Sequence, residues 1–476
     1  MIIGNEVLDD GMLVISYYNE SGKIDFIRKK LMSSDLFNWV ESTQVTNVKN
    51  WNGKYLKQEK CSGKYVNDFR IQEIIKERLS QNELDKIYND DFFPKKSYMD
   101  IEIKVTDDTF ADPAIAAMPV GLISFCNDDN SIYVLSIMTN DDNPEGLSTE
   151  HIRTMETEIN AYFSEVVPLK STDKWLFEQK FTIKYKFFKT EEELLTFYFH
   201  KLAPIHSFLT GWNFIEFDWK YLLNRSKRLK IGALDKMPTP STFSKNKIPI
   251  HMGMLDYMET VMQLKPFKVV ENYQLETIAK VALGVTKLDH GYDSFLEFQK
   301  DIYLYTKYNI IDCILVKLIE DKYALLEVAF SMANIANIEI SRVFAPVHIT
   351  QILMCREFLN KNLKMMKLPW KEQKEEDTST YVGAYVKDPK PNHYRYISCY
   401  DVKSMYPNIQ MQFNISPDSY LGKQDEIKTD GTEISTKNNT IFSSKSDSVA
   451  KTILSRLYNE RIKTQSIVSK MKEENG

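Results

Sequence analysis

Residues 97–105 read SYMDIEIKV, and this stretch decides the fold because two acids stand inside an otherwise apolar strand pattern. Side chains of a β-strand alternate between its two faces, so Asp100 and Glu102 leave the same face while their apolar neighbours can bury the other. The two carboxylates would lie about 6–7 Å apart and would repel each other unless cations share them. The pair alone also fits an edge strand with a solvated acidic face.

The segments that follow this strand predict a mixed sheet flanked by helices. Residues 121–137 (GLISFCNDDNSIYVLSI) alternate and turn like a β-hairpin. An amphipathic helix at 186–204 precedes the strand-like HSFLTGWN at 206–213, and helical FDWKYLLNRSKRL follows at 217–229. Residues 301–340 predict one long helix. This order of elements indicates an α/β domain.

Two further acids could join the pair. Asp218 lies in the aromatic-rich stretch GWNFIEFDWKYL, where it could also be a helix N-cap. Asp312 follows Tyr308 by four residues on one face of the late helix, where the two could also form an ordinary hydrogen-bonded pair. Together the four acids can hold two divalent ions ~3.5–4 Å apart, as in phosphodiester hydrolysis. Tyr308 can orient the attacking water.

Composition narrows the kind of chemistry. The chain has 476 residues, 43% of them hydrophobic and 27% charged, which is the balance of a globular protein. Its five cysteines form no CxxC pair and its seven histidines no HxxxH pair, so a metal site must use carboxylates. No run of about 18 apolar residues occurs, which predicts no membrane partner.

Charge is uneven along the chain. The net charge is −5, yet residues 220–247 contain eight Lys or Arg residues and one acid. Such a run is either a solvated helix face or a stripe that contacts phosphates beside an acidic site. Within it, Lys227, Arg228 and Lys230 are the candidates for DNA binding.

The motifs, in order, resemble those of a known family. DIE (100–102), NFIEFD (213–218) and YNIID (308–312) resemble the three exonuclease motifs of the family B DNA polymerases, and DVKSMYPNI (401–409) resembles their first palm motif. The flanking DPAIAA, TGWN, GAYVKDPKP and FNISPDSY are similar to the T-even bacteriophage polymerases in particular. The resemblance covers roughly residues 96–476.

The resemblance implies roles for individual residues. It implies Mg²⁺ or Mn²⁺, two ions per active site, and catalytic exonuclease metal ligands at Asp100, Glu102, Asp218 and Asp312, with Tyr308 orienting the water. In the palm it implies catalysis and metal binding by Asp401, a carbonyl ligand from Val402, and nucleotide binding by Ser404, Met405, Tyr406 and Arg461. Gln465 departs from the pattern, because the family has a lysine there.

The resemblance also implies an α/β multidomain fold with an RNase H-like 3′–5′ exonuclease domain. We expect an N-terminal domain at 1–95 that is completed by 325–370, and the exonuclease domain at 96–324. The N-terminal part of the palm would occupy 371–447 and the first fingers helix 448–476. Within this fold, a hairpin that moves the primer end in the phage family corresponds to a shorter segment here, at 230–249.

Local patterns in the palm and fingers give further expectations. YVGAYVKD (381–388) and YRYISCYDV (394–402) predict two strands, and the polar residues 424–449 predict a mobile loop. The stretch from 449 to 476 has the apolar spacing of an amphipathic helix, for which the sequence suggests no packing partner.

Two motifs of a family B polymerase do not occur in this sequence, namely K-x-x-x-N-S-x-Y-G in the fingers and the D-T-D-S palm hairpin. We therefore expect the N-terminal half of a split polymerase, or a truncated one, with an intact proofreading exonuclease. Its partners would be primer-template and single-stranded DNA, dNTP, a second chain with the C-terminal half, and a sliding clamp bound through that half. Its location would be the cytoplasm of an infected bacterial host.

Two other functions remain open at this stage. One is a stand-alone 3′–5′ exonuclease with a vestigial palm, and the other is a non-catalytic fragment that binds nucleic acid.

Overall fold

The structure is a computed structural model. It describes residues 1–50, 52–88, 93–107, 109–166, 173–235, 248–366, 386–428 and 430–475. Two expectations fall largely outside these ranges: most of the predicted strand at 381–388 and most of the shortened segment at 230–249. In the described part of the chain, no helix has the length and apolar character needed to cross a membrane.

Fourteen strands are present in the described residues. In chain order they are β1 (Ile2–Val7), β2 (Met12–Tyr18), β3 (Ile24–Lys30), β4 (Phe37–Glu41), β5 (Leu56–Lys60), β6 (Lys96–Ile103), β7 (Val120–Asn127), β8 (Ser131–Ser136), β9 (Thr182–Phe187), β10 (Phe208–Thr210), β11 (Gly253–Met254), β12 (Tyr420–Lys423), β13 (Ile434–Ser435) and β14 (Thr440–Phe442).

Fourteen α-helices accompany them in the same described residues. They are α1 (Asp68–Arg78), α2 (Gln81–Ile87), α3 (Thr149–Val166), α4 (Lys174–Phe177), α5 (Glu191–Phe197), α6 (Lys220–Arg228), α7 (Tyr257–Leu264), α8 (Leu275–Leu283), α9 (Phe295–Phe298), α10 (Ile302–Tyr323), α11 (Leu325–Ala336), α12 (Pro346–Asn360), α13 (Met405–Gln412) and α14 (Val449–Asn475).

Contacts divide the chain into two compact units. The first comprises residues 1–31 and 79–349, and the second comprises 32–78 and 350–476. These units distribute the first 95 residues between them, whereas the sequence suggests one N-terminal domain there. The domain boundaries of the sequence analysis stay a prediction.

A six-stranded mixed sheet forms the centre of the first unit. Its order is β11-β10-β6-β7-β8-β9, with β6, β7 and β8 antiparallel in succession and β10 parallel to both β6 and β11. The predicted hairpin is confirmed as β7 and β8, joined by a turn in which Asn130 has a φ of 61°. Asparagine tolerates this left-handed conformation. The predicted acidic strand is confirmed as β6, at the middle of the sheet.

Helix α10 packs on β6 and β7 and runs antiparallel to β6. The hydroxyl of Tyr305 donates to the carbonyl of Ile103 at 2.9 Å, near the start of the helix. Near its end, Glu320 pairs with Lys96 at 3.5 Å. The sequence predicts one helix over 301–340, but the structure breaks it at Ala324, whose φ of 51° is incompatible with a continuing right-handed helix.

The second unit differs from the sequence prediction at two places. Residues 394–402, predicted as a strand, form no strand and are exposed. A strand is stabilised by its neighbours, and no neighbouring strand pairs with this segment in the described residues. Residues 424–449, predicted as a mobile loop, contain β13 and β14, which form a small sheet with β12. The sequence did not predict these strands, because few of their side chains are buried and the segment is therefore mostly polar.

The predicted amphipathic helix at the end of the sequence is confirmed as α14. Its first turns do have a packing partner, since Val449 and Ile453 are buried in a cluster with Phe358 of α12. Farther along, Ile467 is 56% exposed and Met471 57% exposed. The apolar stripe is therefore covered only at the base of the helix.

Candidate active site

The first two acids of the site lie on β6, as the sequence predicts. Asp100 and Glu102 are half-buried on one face, whereas Met99, Ile101 and Ile103 are almost fully buried on the other. Because β6 is a central strand rather than an edge strand, its acidic face is covered by α10 and is not a solvated surface.

Asp218 reaches β6 from a helical turn at Ile215–Trp219 that leads into α6. Its Oδ1 accepts a hydrogen bond of 2.9 Å from the backbone N–H of Ile101, and the residue is only 3% exposed. The approach of this segment depends on Gly211, where an added Cβ would lie 2.2 Å from the carbonyl oxygen of Met99. Asp218 lies inside this turn, and the N-cap positions belong to Phe214 and Trp219, so the N-cap interpretation is wrong.

The fourth acid comes from α10. Tyr305, Asn309 and Asp312 are spaced by four and three residues, which places them on one face of the helix. Nδ2 of Asn309 donates to Oδ2 of Asp100 at 2.6 Å, and the hydroxyl of Tyr305, which donates to the carbonyl of Ile103, also lies 3.3 Å from Oε2 of Glu102. The helix face is thereby fixed onto the acidic face of the strand.

Burial opposes the ionised form of all four acids, and like charges add to this effect at Asp100, Glu102 and Asp218. Burial and the charge of Asp312 raise the pKa of Asp100. Burial and the charge of Asp100 raise the pKa of Glu102 well above its usual range, and the same two causes raise the pKa of Asp218. Burial also raises the pKa of Asp312. Because each carboxylate feels another, the four form one electrostatic cluster, which a cation would stabilise.

A lysine that the sequence analysis did not single out lies against this cluster. Nζ of Lys287 is 2.5 Å from Oδ2 of Asp312 and 4.6 Å from the centre of the Tyr308 ring. Burial disfavours its charge, but the attraction of Asp312 outweighs this effect and raises the pKa of Lys287. Lys287 lies in the loop between α8 and α9, where a single lysine carries no pattern that would reveal its role.

Tyr308 lies on α10, one turn before Asp312. Its ring packs edge-on against Phe298, with centroids 5.5 Å apart, and under the ammonium of Lys287. Burial, together with the charge of Asp312, raises the pKa of Tyr308 to about 12. The phenol therefore keeps its proton at neutral pH.

The fit of these acids to a divalent cation rests on their chemistry and on one unsatisfied atom. Carboxylate oxygens are the ligands that Mg²⁺ and Mn²⁺ prefer. Oδ1 of Asp312 is buried and has no hydrogen-bond partner among the described residues. Among those same residues, no group of three or more His, Cys, Asp or Glu side chains is already arranged to coordinate a metal ion. The acids fit a divalent ion by donor type and charge, while Lys287 supplies the positive charge beside Asp312.

A cavity of about 580 Å³ opens beside Glu102. Its wall includes Phe110, Phe217 and Phe295, of which Phe110 is 81% exposed and Phe295 47% exposed. The rings of Phe110 and Phe217 lie 5.9 Å apart. Exposed aromatic faces next to an acidic site suit unpaired bases, which stack on such rings. None of the three phenylalanines lies in a sequence pattern that marks it as part of a site.

The three candidate DNA-binding cations lie at and just after the end of α6. Lys227, Arg228 and Lys230 are all exposed. Arg225, one turn earlier, is instead paired with Glu191 at 2.6 Å and is only 9% exposed. The basic run thus contributes at least three available cations, and its portion from 236 to 247 lies outside the described residues.

The predicted palm residues belong to the second unit. Asp401 and Tyr406 are exposed, and Val402 is 62% exposed. Ser404 precedes α13 with a φ of 53°, so the chain turns sharply before Met405 enters the helix. The backbone N–H groups at the start of a helix are free to bind an anion.

Arg461 of α14 reaches this turn. Its Nη1 donates to Oγ of Ser404 at 3.4 Å. The fold of the second unit thus brings together two predicted nucleotide-binding residues that are 57 positions apart in the sequence.

Comparison with known proteins identifies what these two sites resemble. The family profile described as "DNA polymerase family B, exonuclease domain" matches residues 64–278, and the one described as "DNA polymerase family B" matches residues 338–475. The first range contains the first three acids of the cluster, and the second contains Asp401 and the turn at Ser404.

Curated relatives carry corresponding names. The "DNA-directed DNA polymerase" of Escherichia phage RB69 is 27% identical over 339 residues, which cover 68% of this chain and 35% of the relative. The enzyme of the same name from Enterobacteria phage T4 is 24% identical over 376 residues, or 74% of this chain and 40% of the relative. The "DNA polymerase catalytic subunit" of human herpesvirus 7 is 26% identical over 48% of this chain and 25% of the relative. The chain thus spans well under half the length of these relatives.

Proposed function

Because the chain belongs to the family B DNA polymerases, we propose that its first unit is a 3′–5′ exonuclease that hydrolyses single-stranded DNA. The observation that carries the proposal is the convergence of four acids from three separate elements, namely β6, the turn before α6, and α10; Asp218 and Asp312 are buried, and Asp100 and Glu102 are half-buried. Isolated buried acids are costly, so a cluster of four is expected where they bind cations for catalysis.

In this proposal, two divalent ions are held by Asp100, Glu102, Asp218 and Asp312. When bound, such ions lower the pKa of the attacking water and stabilise the charge that develops on the phosphate. Tyr308 keeps its proton at neutral pH, since its pKa is raised to about 12, and its hydroxyl can orient that water. Lys287 stays charged and adds positive charge where the phosphate binds.

The substrate is proposed to enter as a single strand. The phenylalanine-lined cavity beside Glu102 supports this, because stacking on aromatic rings recognises unpaired bases of any sequence. Lys227, Arg228 and Lys230 would contact phosphates of the same strand.

The second unit is proposed to contribute to a DNA polymerase site. Asp401 and the carbonyl of Val402 would bind metal, while the turn at Ser404 and the guanidinium of Arg461 would bind the triphosphate of a dNTP. The contact between Arg461 and Ser404 supports a working nucleotide site over a vestigial palm. Tyr406 would lie under the sugar of the nucleotide.

Synthesis on a primer-template requires a second palm carboxylate, and its expected D-T-D-S motif does not occur in this sequence. A C-terminal polymerase half supplied as a second chain is the proposed source, and a sliding clamp would bind through it. The phage relatives support the cytoplasm of an infected bacterium as the location.

The exonuclease proposal is tested with a single-stranded oligonucleotide that carries a label at its 5′ end. In Mg²⁺ or Mn²⁺ the labelled product should shorten by one nucleotide at a time, and EDTA should stop the reaction. An oligonucleotide whose 3′ end is chemically blocked is the control and should resist. Loss of nucleotides from the 5′ end, or no shortening at all, would contradict the proposal.

A further inference from the structure

Asn309 carries an amide that contacts an acid of the proposed exonuclease site. It is fully buried on α10, and its Nδ2 donates to Oδ2 of Asp100 at 2.6 Å. Among the described residues, Asn309 is the side chain that donates a hydrogen bond to the Asp100 carboxylate. The hydroxyl of Ser124, which lies opposite Asp100 on β7, is buried but makes no hydrogen bond within the described residues.

The environment of Asn309 is unusual for an amide with a purely structural role. A buried amide normally satisfies both its N–H groups and its oxygen. Here Oδ1 of Asn309 is buried and has no partner in the described part of the chain, so only the contact with Asp100 compensates for burying the group. Leaving a polar atom unpaired is costly, which indicates that the amide is kept for what its N–H group does to Asp100.

The geometry defines that effect. A carboxylate has two oxygens, and the bond from Asn309 engages Oδ2 and fixes the rotation of the group about its Cβ–Cγ bond. The other oxygen of Asp100 is then left for a different partner. Groups that hydrogen-bond to metal ligands orient those ligands and are worth roughly 10–100-fold in metal affinity or activity.

We propose that Asn309 is a positioning residue that orients the Asp100 carboxylate for binding a divalent cation. The inference rests on the proposed exonuclease function and adds a residue to it. In this role Asn309 acts through Asp100.

The test measures Mn²⁺ binding directly by isothermal titration calorimetry. All variants carry Asp401→Ala, which removes the palm carboxylate from the measurement. In this background Asn309→Leu, which keeps the shape and removes the donor, should raise the Kd for Mn²⁺ by about 10–100-fold.

Hydrolysis provides the second readout. In Asn309→Leu the kcat for a single-stranded oligonucleotide should fall at limiting Mn²⁺, whereas the KM for the oligonucleotide should stay within about threefold, because the cavity beside Glu102 is untouched. The matched control is Thr306→Val on the same helix, where the lost hydrogen bond runs from a buried hydroxyl to the carbonyl of Ile302. It should leave both Mn²⁺ affinity and kcat near those of the parent.

The outcomes separate this inference from the function on which it rests. If Asp100→Ala removes Mn²⁺ binding while folded Asn309→Leu binds as tightly as the parent, the role of Asn309 is overturned and the exonuclease proposal stands. If Asp100→Ala binds Mn²⁺ like the parent, the exonuclease proposal itself fails. Should Asn309→Leu not fold, Asn309→Ser, which is too short to reach Asp100, decides the question by the same measurement.

Discussion

Burial disfavours the charge of Asp312, and the ammonium of Lys287 compensates for it at 2.5 Å. The lysine side chain is 23% exposed, whereas that of the aspartate is 7% exposed, so the pair sits at the rim of the cluster. Removing one partner of a fully buried pair costs about 3–5 kcal/mol, because the other charge is left uncompensated. At a site built for cations, a bound ion should be able to replace this compensation.

We therefore expect Lys287→Met to destabilise the protein by about 2–3 kcal/mol in EDTA, below the fully buried value because the lysine is partly exposed. In Mg²⁺ the loss should be clearly smaller. Urea unfolding in the two buffers measures the difference. Lys280→Met, at an exposed position on α8, is the control and should show no dependence on Mg²⁺. An equal loss in both buffers would mean that Lys287 and the ion do not share the same acids.

A second prediction concerns His206, near the start of β10. Its Nδ1 contacts Oγ of Ser97 at 3.1 Å, its Nε2 is buried without a partner in the described residues, and burial lowers its pKa to about 4. Because the folded pKa lies below the unfolded value, the contribution of His206 to stability is complete above about pH 6.5. It is lost as the pH falls toward 4, by up to about 3 kcal/mol.

Selective labelling of the histidine rings checks this directly by NMR. The signal that disappears in His206→Gln should titrate near pH 4, and the unfolding free energy of the variant should fall less steeply between pH 6.5 and 4 than that of the parent. His393→Gln, at an exposed position, is the control and should leave the His206 signal where it is in the parent. A midpoint near 6.5 for His206 would show that the ring is hydrated.

The acids of the cluster could be predicted from the sequence, whereas the residues that contact them could not all be predicted. Asp100 and Glu102 stand out because a strand pattern places two charges on one face, and Asp312 because a tyrosine precedes it by one helical turn. Asn309 could have been found on the same helix face, three residues before Asp312. Lys287 could not, because only the packing of a loop against α10 brings it to the cluster.

Among the elements, α6 connects the acidic cluster with two of the exposed cations. One end of it continues from the turn that carries Asp218, and the other carries Lys227 and Arg228. A strand of DNA held along this helix would therefore have its phosphates near the cations while its end approaches the acids.

If these cations contact phosphates, changing Lys227, Arg228 and Lys230 to alanine should lower the slope of log affinity against log salt by roughly one unit per lost contact, and by at most about three. Fluorescence anisotropy with a labelled single strand at several salt concentrations measures the slope. The same change at three other exposed lysines of the first unit, Lys174, Lys180 and Lys184, is the control. A triple variant with unchanged affinity and slope would make the basic run a solvated face.

Helices and strands could be predicted where the local sequence determines them. They could not be predicted where contacts with neighbouring elements determine them. The hairpin of β7 and β8 and the helix α14 follow from turn residues and apolar spacing. Residues 394–402 have the composition of a strand but form none, since a strand also needs neighbours with free backbone groups. The break in the helix at Ala324 could not be predicted from the sequence, because alanine favours helices and only the fold imposes its left-handed conformation.

For the whole molecule, the two sites should differ in what they need. The proposed exonuclease acids all lie in the first unit, whereas Asp401, the carboxylate proposed for the palm site, lies in the second. We expect the purified 476-residue chain to degrade single strands but not to incorporate nucleotides. Addition of a polypeptide that carries the D-T-D-S motif and the rest of the polymerase should restore synthesis. Primer extension followed on a sequencing gel checks this, and extension by the chain alone would contradict it.

Once synthesis is restored, Asp401→Ala should abolish it and leave the exonuclease rate unchanged, because the variant alters the second unit only. Equal loss of both activities would mean that the two sites are not independent.

The central claim is that the cluster of four acids, with divalent ions bound, hydrolyses the 3′ end of single-stranded DNA. The most direct measurement is the rate of 3′-nucleotide release in saturating Mg²⁺ by the parent and by Asp100→Ala/Glu102→Ala. Because such sites contribute several kcal/mol to the reaction, the double variant should lose more than about a hundredfold in rate. Glu192→Ala/Glu193→Ala, which removes two exposed acids of α5, should keep the parent rate. An unchanged rate in Asp100→Ala/Glu102→Ala would contradict the account.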